Sequence, residues 1–389
     1  MRQPFTFRNA FILLLVLSLF SACQSRVMHI PAAEPVFYDQ GFSGFSDIEI
    51  ESEEQLFYLG PEAKAFVAST VAPLKKKTDQ MEALVKAIFD RSKLNLLYQG
   101  DANTNANDTF HFQAANCLSM SIMTYALATE AGFDVDFQEV IIPEYWTRRS
   151  GFSLLNGHIN LKILAPPEPN VFVFKNRGYQ VDFDPQSSRR GLPKKVVGKQ
   201  AILSMFYNNK GADAILRHDY VSAYAYFREA VLLQPKFHSA WINLGILYRL
   251  SGHFPQAERV YRYALVLKPE SLTAMENLAY LYTFMGRETE AEQMLEIVEN
   301  RRNSNPYYHV NLGEQELERK HWDQALTHFR TALSLDRNKH EVYFGLARVY
   351  FEIGELRQSE RYLKLAKNKT RNRHDEEKYQ RKLAFLSSL

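Results

Sequence analysis

The sequence predicts a mixed α+β unit followed by an all-α repeat solenoid, behind a short export signal. In the second half of the chain, small residues recur every 34 positions, which is typical of stacked helix pairs. In the first half, a helical pattern is followed by short runs that alternate between apolar and polar residues, which is typical of a small sheet. The 389 residues are enough for two or three folded units.

Composition and charge limit the possible functions. A formal net charge of +3 gives no electrostatic footprint for DNA or RNA, so we expect no nucleic-acid partner. Cys23 and Cys117 are the only cysteines, which excludes a disulfide framework and a cysteine-based metal site. The sequence has no phosphate-binding loop, dinucleotide fingerprint or His-Glu-x-x-His motif, so we expect no cofactor and no metal.

Residues 1–22 have the pattern of a signal peptide. Arg2 and Arg8 precede an apolar run over residues 10–20, which is too short for a membrane-spanning helix of roughly 20 residues. Small residues then lead into Cys23.

The segment around Cys23 resembles the lipobox of bacterial lipoproteins. The resemblance implies that Cys23 becomes the lipidated first residue, and that Gln24 behind it directs the protein to the outer membrane. We therefore expect a lipid-anchored protein of the bacterial cell envelope, on the periplasmic face of the outer membrane. Residues 23–60 would then be anchor and linker. The alternative is ordinary signal cleavage nearby.

Residues 61–200 are predicted to form the α+β unit. The spacing of Asp79 and Glu82 is that of a capping box and predicts a helix start there. A polar loop, 100–108, precedes a run from Phe112 to Gly132 that predicts a second helix with a glycine stop and with Cys117 at its N-terminus. Four strands are expected after it, over residues 135–142, 159–164, 171–174 and 179–183.

The predicted position of Cys117 favours a reactive thiol. A helix N-terminus carries partial positive charge and N–H groups without helical partners, which lower the pKa of a thiol and can hold an oxyanion. His158 stands at the start of the second predicted strand, and Asp182 and Asp184 belong to the end of the last one. The loop 143–157 is predicted to be a lid or a substrate lip, with plain surface decoration as the alternative.

This order of residues resembles the transglutaminase-like superfamily of the papain-like fold. The resemblance implies that Cys117 is the nucleophile, that His158 is the general base and acid, and that Asp182 or Asp184 orients the imidazole. We favour Asp182, because we expect it inside the strand, where a carboxylate is held in place. In three respects the sequence departs from the family pattern: Ala115 replaces a glycine, no tryptophan follows the histidine, and two aspartates compete for one role.

The resemblance also implies an oxyanion hole and a class of reaction. The backbone N–H of Cys117 and the side chain of Gln113 or Asn116 are the candidate donors. The chemistry would pass through a Cys117 thioester on a protein or peptide, ending in amide hydrolysis or acyl transfer. Two alternatives stay open, a catalytically inactive domain in a scaffold or assembly protein, and a cell-wall peptidase with a similar order of residues.

The second half of the chain has the period of tetratricopeptide repeats. Small residues stand 34 positions apart at Gly211, Gly245, Ala279, Gly313 and Ala347, and again at Ala223, Ala257, Ala291, Ala325 and Ser359. Small side chains at these positions let two antiparallel helices approach closely. We predict five repeats over residues 204–373 and a capping helix over 374–389.

Resemblance to these repeats implies a concave surface formed by the first helix of each unit. Such a surface holds an extended peptide or a helix of a protein partner. For each candidate side chain on it, packing between repeats is the alternative. The candidates are Arg249, Tyr280, Tyr307, Phe344, Arg348 and Phe351.

Overall fold

The computed structural model describes residues 37–90, 92–149, 151–164, 178–183, 192–370 and 373–388. The signal peptide, the lipobox cysteine Cys23, the strand expected at 171–174 and Asp184 all lie outside the described residues. No helix in the described part of the chain is both long enough and apolar enough to cross a membrane.

Helices form most of the first part of the α+β unit. They are α1 (Glu53–Phe57), α2 (Pro61–Val71), α3 (Lys77–Phe89), α4 (Ala106–Phe112) and α5 (Cys117–Glu130). Helix α3 begins at Lys77, two residues before the expected capping box, and no side chain caps it. The prediction of its start was therefore wrong, because Asp79 lies inside the first turn, where its charge still favours the positive end of the helix dipole.

A four-stranded antiparallel sheet packs against α5. Its strands are β3 (Val135–Val140), β6 (Ile159–Leu164), β7 (Gly178–Val181) and β8 (Lys194–Val197), in the order β7-β6-β3-β8. Buried apolar pairs fix the register, with Leu161 opposite Phe137 on one side and opposite Val181 on the other. A separate parallel pair joins β1 (Leu97–Tyr98) to β2 (Ala114–Ala115), immediately before α5.

The segment predicted as a loop, 143–157, contains a β-hairpin. Strands β4 (Trp146–Arg149) and β5 (Phe152–Leu155) pair with each other in a two-stranded sheet of their own. Gly151 in the turn has a φ of 81°, a conformation that glycine adopts without strain. The expectation of a structureless loop was wrong because β-branched and aromatic residues on both sides of a turn favour strands over coil.

Five helix pairs and a final helix make up the rest of the chain. The pairs are α6 (Lys199–Leu216) with α7 (Tyr220–Leu233), α8 (His238–Leu250) with α9 (Phe254–Leu267), α10 (Leu272–Phe284) with α11 (Glu288–Arg302), α12 (Pro306–Glu318) with α13 (Trp322–Leu335), and α14 (His340–Glu352) with α15 (Leu356–Lys369); helix α16 (Arg373–Leu386) follows. A Cβ on Gly245 would lie 2.4 Å from a ring carbon of the fully buried Tyr261. The close approach of the two helices in this pair therefore requires glycine.

Residues 37–51, expected to belong to a linker, pack against the first two helix pairs. Phe42 is buried and stacks on Tyr224 with ring centroids 4.5 Å apart. The Tyr224 hydroxyl donates a 2.6 Å hydrogen bond to Asp39. Burial and this carboxylate raise the pKa of Tyr224. The amino-terminal part of the described chain is thus tied to the repeats, and the described residues from Phe37 onward belong to one compact unit.

Candidate functional site

Cys117 is the first residue of helix α5 and is half-buried. The helix is capped by Asn116, whose side-chain oxygen accepts a 2.9 Å hydrogen bond from the backbone N–H of Ser119. The backbone N–H of Asn116 in turn donates to the carbonyl of Ala102 at 3.2 Å. Thr104 N–H donates to the Ser119 hydroxyl at 3.0 Å. The polar segment before the helix therefore fixes the first turn, where the thiol sits.

His158 and Asp182 contact each other at the start of strand β6. The Nε2 atom of His158 lies 2.9 Å from Oδ1 of Asp182, and the imidazole is 2% exposed. Strand β7 ends at Val181, so Asp182 follows the strand and is not inside it as predicted. The other carboxylate oxygen, Oδ2, accepts a 3.3 Å hydrogen bond from the side chain of Asn160, which is completely buried. Both oxygens of the carboxylate are thus held in place.

The helix of the thiol packs against the strand of the histidine. Ser121, one turn after Cys117, donates from its hydroxyl to the carbonyl of Ile159 at 3.5 Å. Ile159 is the residue after His158, and the backbone carbonyl of His158 accepts a 2.9 Å hydrogen bond from Val140 on strand β3. Residues four apart share one face of a helix, so Cys117 lies on the side of α5 that meets β6.

The two candidate oxyanion residues have different surroundings. Asn116 is buried, and its side-chain amide donates to Asn103 while its oxygen caps α5. Gln113 has a φ of 55° at the end of α4, and its backbone carbonyl accepts from Leu97 at 2.8 Å. The structure thus uses Asn116 to hold the helix start, and Gln113 to join the two short parallel strands.

Sequence reasoning did not find Asn160, although a signal was present. Asn160 stands two residues after His158, and strand side chains alternate with period two. Asn160 and His158, the residue just before β6, therefore point to the same side, and both contact Asp182. A polar side chain at that spacing from a histidine, next to apolar residues that predict a buried strand, indicates a partner for a buried polar group.

The β4–β5 hairpin is held by the repeats through one buried arginine. Arg302, at the end of α11, is 2% exposed and lies 2.8 Å from a carboxylate oxygen of Glu144 and 2.9 Å from one of Glu276. Burial alone would lower the pKa of Arg302, but these two carboxylates raise it. Its guanidinium also lies 4.8 Å from the ring centroid of Trp146. The loop that we expected to cover a substrate is thus anchored on the solenoid.

One face of helix α12 meets the hairpin along its length. The Ser153 hydroxyl donates to the side-chain oxygen of Asn311 at 2.8 Å and accepts from Gln315 at 3.3 Å. One turn further, Glu318 forms an ion pair with Arg148. Asn311, Gln315 and Glu318 are three or four positions apart, so they form a single stripe. The first helix of the fourth repeat therefore binds an extended segment of the same chain.

Three of the six predicted groove residues belong to the first helices of the second, third and fourth pairs. Tyr307 is buried, with its ring centroid 5.5 Å from that of Tyr145 before β4. Tyr280 is 47% exposed. Arg249 places its guanidinium 5.9 Å from the ring centroid of Phe284, which is 67% exposed.

The other three residues lie in the last repeat. Phe344 packs against Tyr379 of α16 with ring centroids 4.9 Å apart, so it is covered by the capping helix. Arg348 forms an ion pair with Glu314, 34 positions earlier. Phe351 is 38% exposed and lies 6.3 Å from Phe385, measured between ring centroids.

In the described ranges, no group of three or more His, Cys, Asp and Glu side chains converges in a way that could hold a metal ion.

Comparisons with known proteins identify the repeats. Family models described as tetratricopeptide repeat match residues 240–273 and 316–384. The chain therefore carries tetratricopeptide repeats, and this part of the prediction is confirmed. Both matches lie in the carboxy-terminal half, so the transglutaminase-like resemblance stays a prediction. No curated protein matches the chain.

Among the solved structures that are similar to part of this chain are three proteins, each less than 25% identical to it in sequence. MamA is 17% identical, with 43% of this chain and 91% of that chain covered and a TM-score of 0.25. The pilF protein of Pseudomonas aeruginosa is 21% identical, with 46% and 82% covered and a TM-score of 0.28. YrrB, titled a TPR protein with an unusual peptide-binding site, is 15% identical, with 43% and 86% covered and a TM-score of 0.25.

Proposed function

We propose that the chain is an interaction scaffold that binds a protein partner through its tetratricopeptide repeats. The main support for this proposal is the set of side-chain contacts between the repeats and the β4–β5 hairpin. Side chains from α11 and α12 bind it through ion pairs, hydrogen bonds and ring contacts. A surface that recognises an extended segment of its own chain has the chemistry to recognise one from a partner.

The free part of this surface is aromatic. Phe284 stands 34 positions before Glu318, at the equivalent place in the preceding repeat. Tyr280 lies one turn before it, and both rings are exposed, by 67% and 47%. Arg249 adds a cation beside Phe284. We infer a partner segment with apolar side chains and at least one carboxylate, because aromatic rings and arginine are the commonest anchors of protein interfaces.

Site-specific photo-crosslinking in the cells that make the protein tests the scaffold function. A crosslinking residue replaces Phe284 in one strain and Val266 in another, where Val266 is 44% exposed on the second helix of a pair. We expect a discrete adduct with one protein from position 284 and not from position 266. The adduct should persist in a Cys117→Ala background. Equal adducts from both positions, or none, would contradict partner binding at this surface.

A second candidate function, thiol acyl chemistry, is favoured by the 2.9 Å contact between Nε2 of His158 and the carboxylate of Asp182. With Nε2 held by the carboxylate, the other ring nitrogen, Nδ1, is assigned to exchange a proton with the Cys117 thiol. The thiolate would attack an amide carbonyl, and N–H groups at the start of α5 would stabilise the oxyanion. The imidazolium would then give its proton to the leaving amine, leaving a thioester for water or a second amine to cleave.

Alkylation of Cys117 by iodoacetamide at several pH values tests this candidate. An activated thiolate should react well below pH 8, and His158→Ala should move the midpoint toward about 8.5, the value of an ordinary cysteine. His111→Ala is the matched control, because His111 lies in the same unit on the surface, 3.5 Å from Glu62. A midpoint near 8.5 in the wild type, unchanged by His158→Ala, would leave only the scaffold function.

We also propose that the protein is a lipoprotein of the cell envelope. The support is the signal pattern and the lipobox resemblance at Cys23. Cys23→Ser should abolish incorporation of labelled fatty acid and move the protein from the membrane pellet to the soluble fraction. Retention of the label by the variant would contradict the proposal.

A further inference from the structure

A chain of side-chain hydrogen bonds connects the start of helix α5 to the repeats. The Asn116 amide donates to Asn103 Oδ1, and the Asn103 amide donates to Asp213 Oδ2. Arg149 donates to the other oxygen of Asp213. We call these four residues, Asn116, Asn103, Asp213 and Arg149, the Asp213 network.

The network joins three separate parts of the fold. Asn116 caps the helix that begins with Cys117, and Asn103 lies in the polar segment before it. Asp213 is on α6, in the first helix pair of the solenoid, and Arg149 ends strand β4 of the hairpin. The Asp213 side chain is 14% exposed and that of Arg149 is 27% exposed. Because water has limited access to these side chains, the two hydrogen bonds to the carboxylate are stronger than in bulk water and hold both donors in place.

Every bond in the network has a defined direction. Asp213 only accepts, so Asn103 must turn its amide nitrogen toward Asp213 and its oxygen toward Asn116. Asn116 must then turn its nitrogen toward Asn103, which leaves its oxygen facing the N–H of Ser119. Reversal of either amide would place two donors or two acceptors face to face. The charge on Asp213 therefore sets the orientation of the helix cap next to Cys117.

We propose that Asp213, a residue of the solenoid, is a positioning residue for the Cys117 thiol. This inference rests on the second candidate function, in which the first turn of α5 stabilises the thiolate. Asp213 fixes the amide of Asn116, and the cap fixes the N–H groups of that turn. The repeats then complete the thiol site as well as bind partners.

A matched pair of carboxylates makes the proposal testable. Arg148 and Arg149 are neighbours on the hairpin, and each pairs with one carboxylate of the repeats, Glu318 and Asp213. Only Asp213 continues to Asn103 and Asn116. Asp213→Asn and Arg149→Gln therefore disturb the network, whereas Glu318→Gln and Arg148→Gln weaken the hairpin contact alone.

The experiment measures the pH profile of iodoacetamide alkylation at Cys117 in the full chain of all four variants. We expect Asp213→Asn and Arg149→Gln to react about threefold to tenfold more slowly at about pH 6.5, with the midpoint moved toward higher pH by up to about one unit. The two control variants should stay within about twofold of the wild type. Thermal unfolding of each variant identifies those that fold, and the proposal is judged on the pH profile of these.

Two outcomes overturn the proposal in distinguishable ways. If all four variants shift the profile equally, or none does while the wild type depends on His158, Asp213 has no special role and the thiol function stands. If the wild-type thiol titrates as an ordinary cysteine and ignores His158→Ala, the thiol function fails and the positioning role fails with it.

Discussion

The repeats and the α+β unit achieve a fixed geometry by opposite means. In the repeats the same contact recurs, with Gly245 against Tyr261 and, two units later, Gly313 against Phe329. In the α+β unit each contact of the candidate site occurs once: a cap at Asn116 and one contact of His158 with Asp182. A repeated contact tolerates local damage, whereas a site built from single hydrogen bonds depends on every one of them.

The comparison predicts that damage in the repeats stays local even when it is large. Phe329 is fully buried at the centre of a cluster that includes Leu326, Val342 and Leu346. Phe329→Ala should lower the free energy of unfolding by about 3–5 kcal/mol, because it removes a ring and leaves a cavity. Urea unfolding measures this loss, and hydrogen–deuterium exchange should show faster exchange in α12 to α15 with α5 unchanged.

Phe385→Ala is the control for this experiment, because Phe385 is 55% exposed. Its effect should stay within about 0.5 kcal/mol. Faster exchange in α5 of the Phe329→Ala variant would show that the two regions unfold together, and the contrast between them would not hold.

Acid should weaken the repeats through one histidine. Burial lowers the pKa of His238 to about 4, with the charge of Lys268 acting in the same direction. Between about pH 6.5 and pH 4, His238 therefore binds a proton in the unfolded chain but not in the folded chain. The free energy of unfolding falls as the pH drops through this range. The loss is at most about 3 kcal/mol.

Urea unfolding of the wild type and of His238→Gln between pH 4 and pH 7 measures this loss. Glutamine does not titrate, so the variant should lack the part of the pH dependence that His238 causes. Parallel curves for the two proteins would assign the acid sensitivity to groups other than His238.

The elements that the sequence predicted well are those whose pattern lies within a short stretch of the chain. The helix that contains Cys117 was predicted because its apolar run ends at a glycine, Gly132, and strand β6 was predicted over its observed range because the apolar pattern lies within the strand itself. The cap at Asn116 was not part of the prediction. The helix pairs were predicted because the spacing of Gly245 and its equivalents repeats.

The contacts between the two regions could not be predicted in this way. In the sequence, Arg302 is one of several charged residues in a polar segment, and Glu144 lies in the segment predicted to be a loop. Their pairing joins residues 158 positions apart. Asp213 likewise has no distinguishing neighbour along the chain, and its part in the network depends on Asn103 and Arg149, which approach it from two other elements.

The smallest expected effect tests the junction itself. Arg302→Met keeps an apolar side chain of similar length against Trp146 but removes the ion pairs with Glu144 and Glu276. The two carboxylates are 29% and 22% exposed, so water can reach them, and the loss of stability should be about 1–2 kcal/mol instead of the larger value for a fully buried pair. Hydrogen–deuterium exchange should become faster in strands β4 and β5.

Arg301→Met is the matched control, because Arg301 is the exposed neighbour on the same helix. It should leave exchange in the hairpin unchanged. If Arg302→Met also leaves the hairpin protected, the remaining contacts with α12 are sufficient to hold it. In that case several redundant contacts join the α+β unit to the repeats. Only the candidate site around Cys117 would then depend on single contacts.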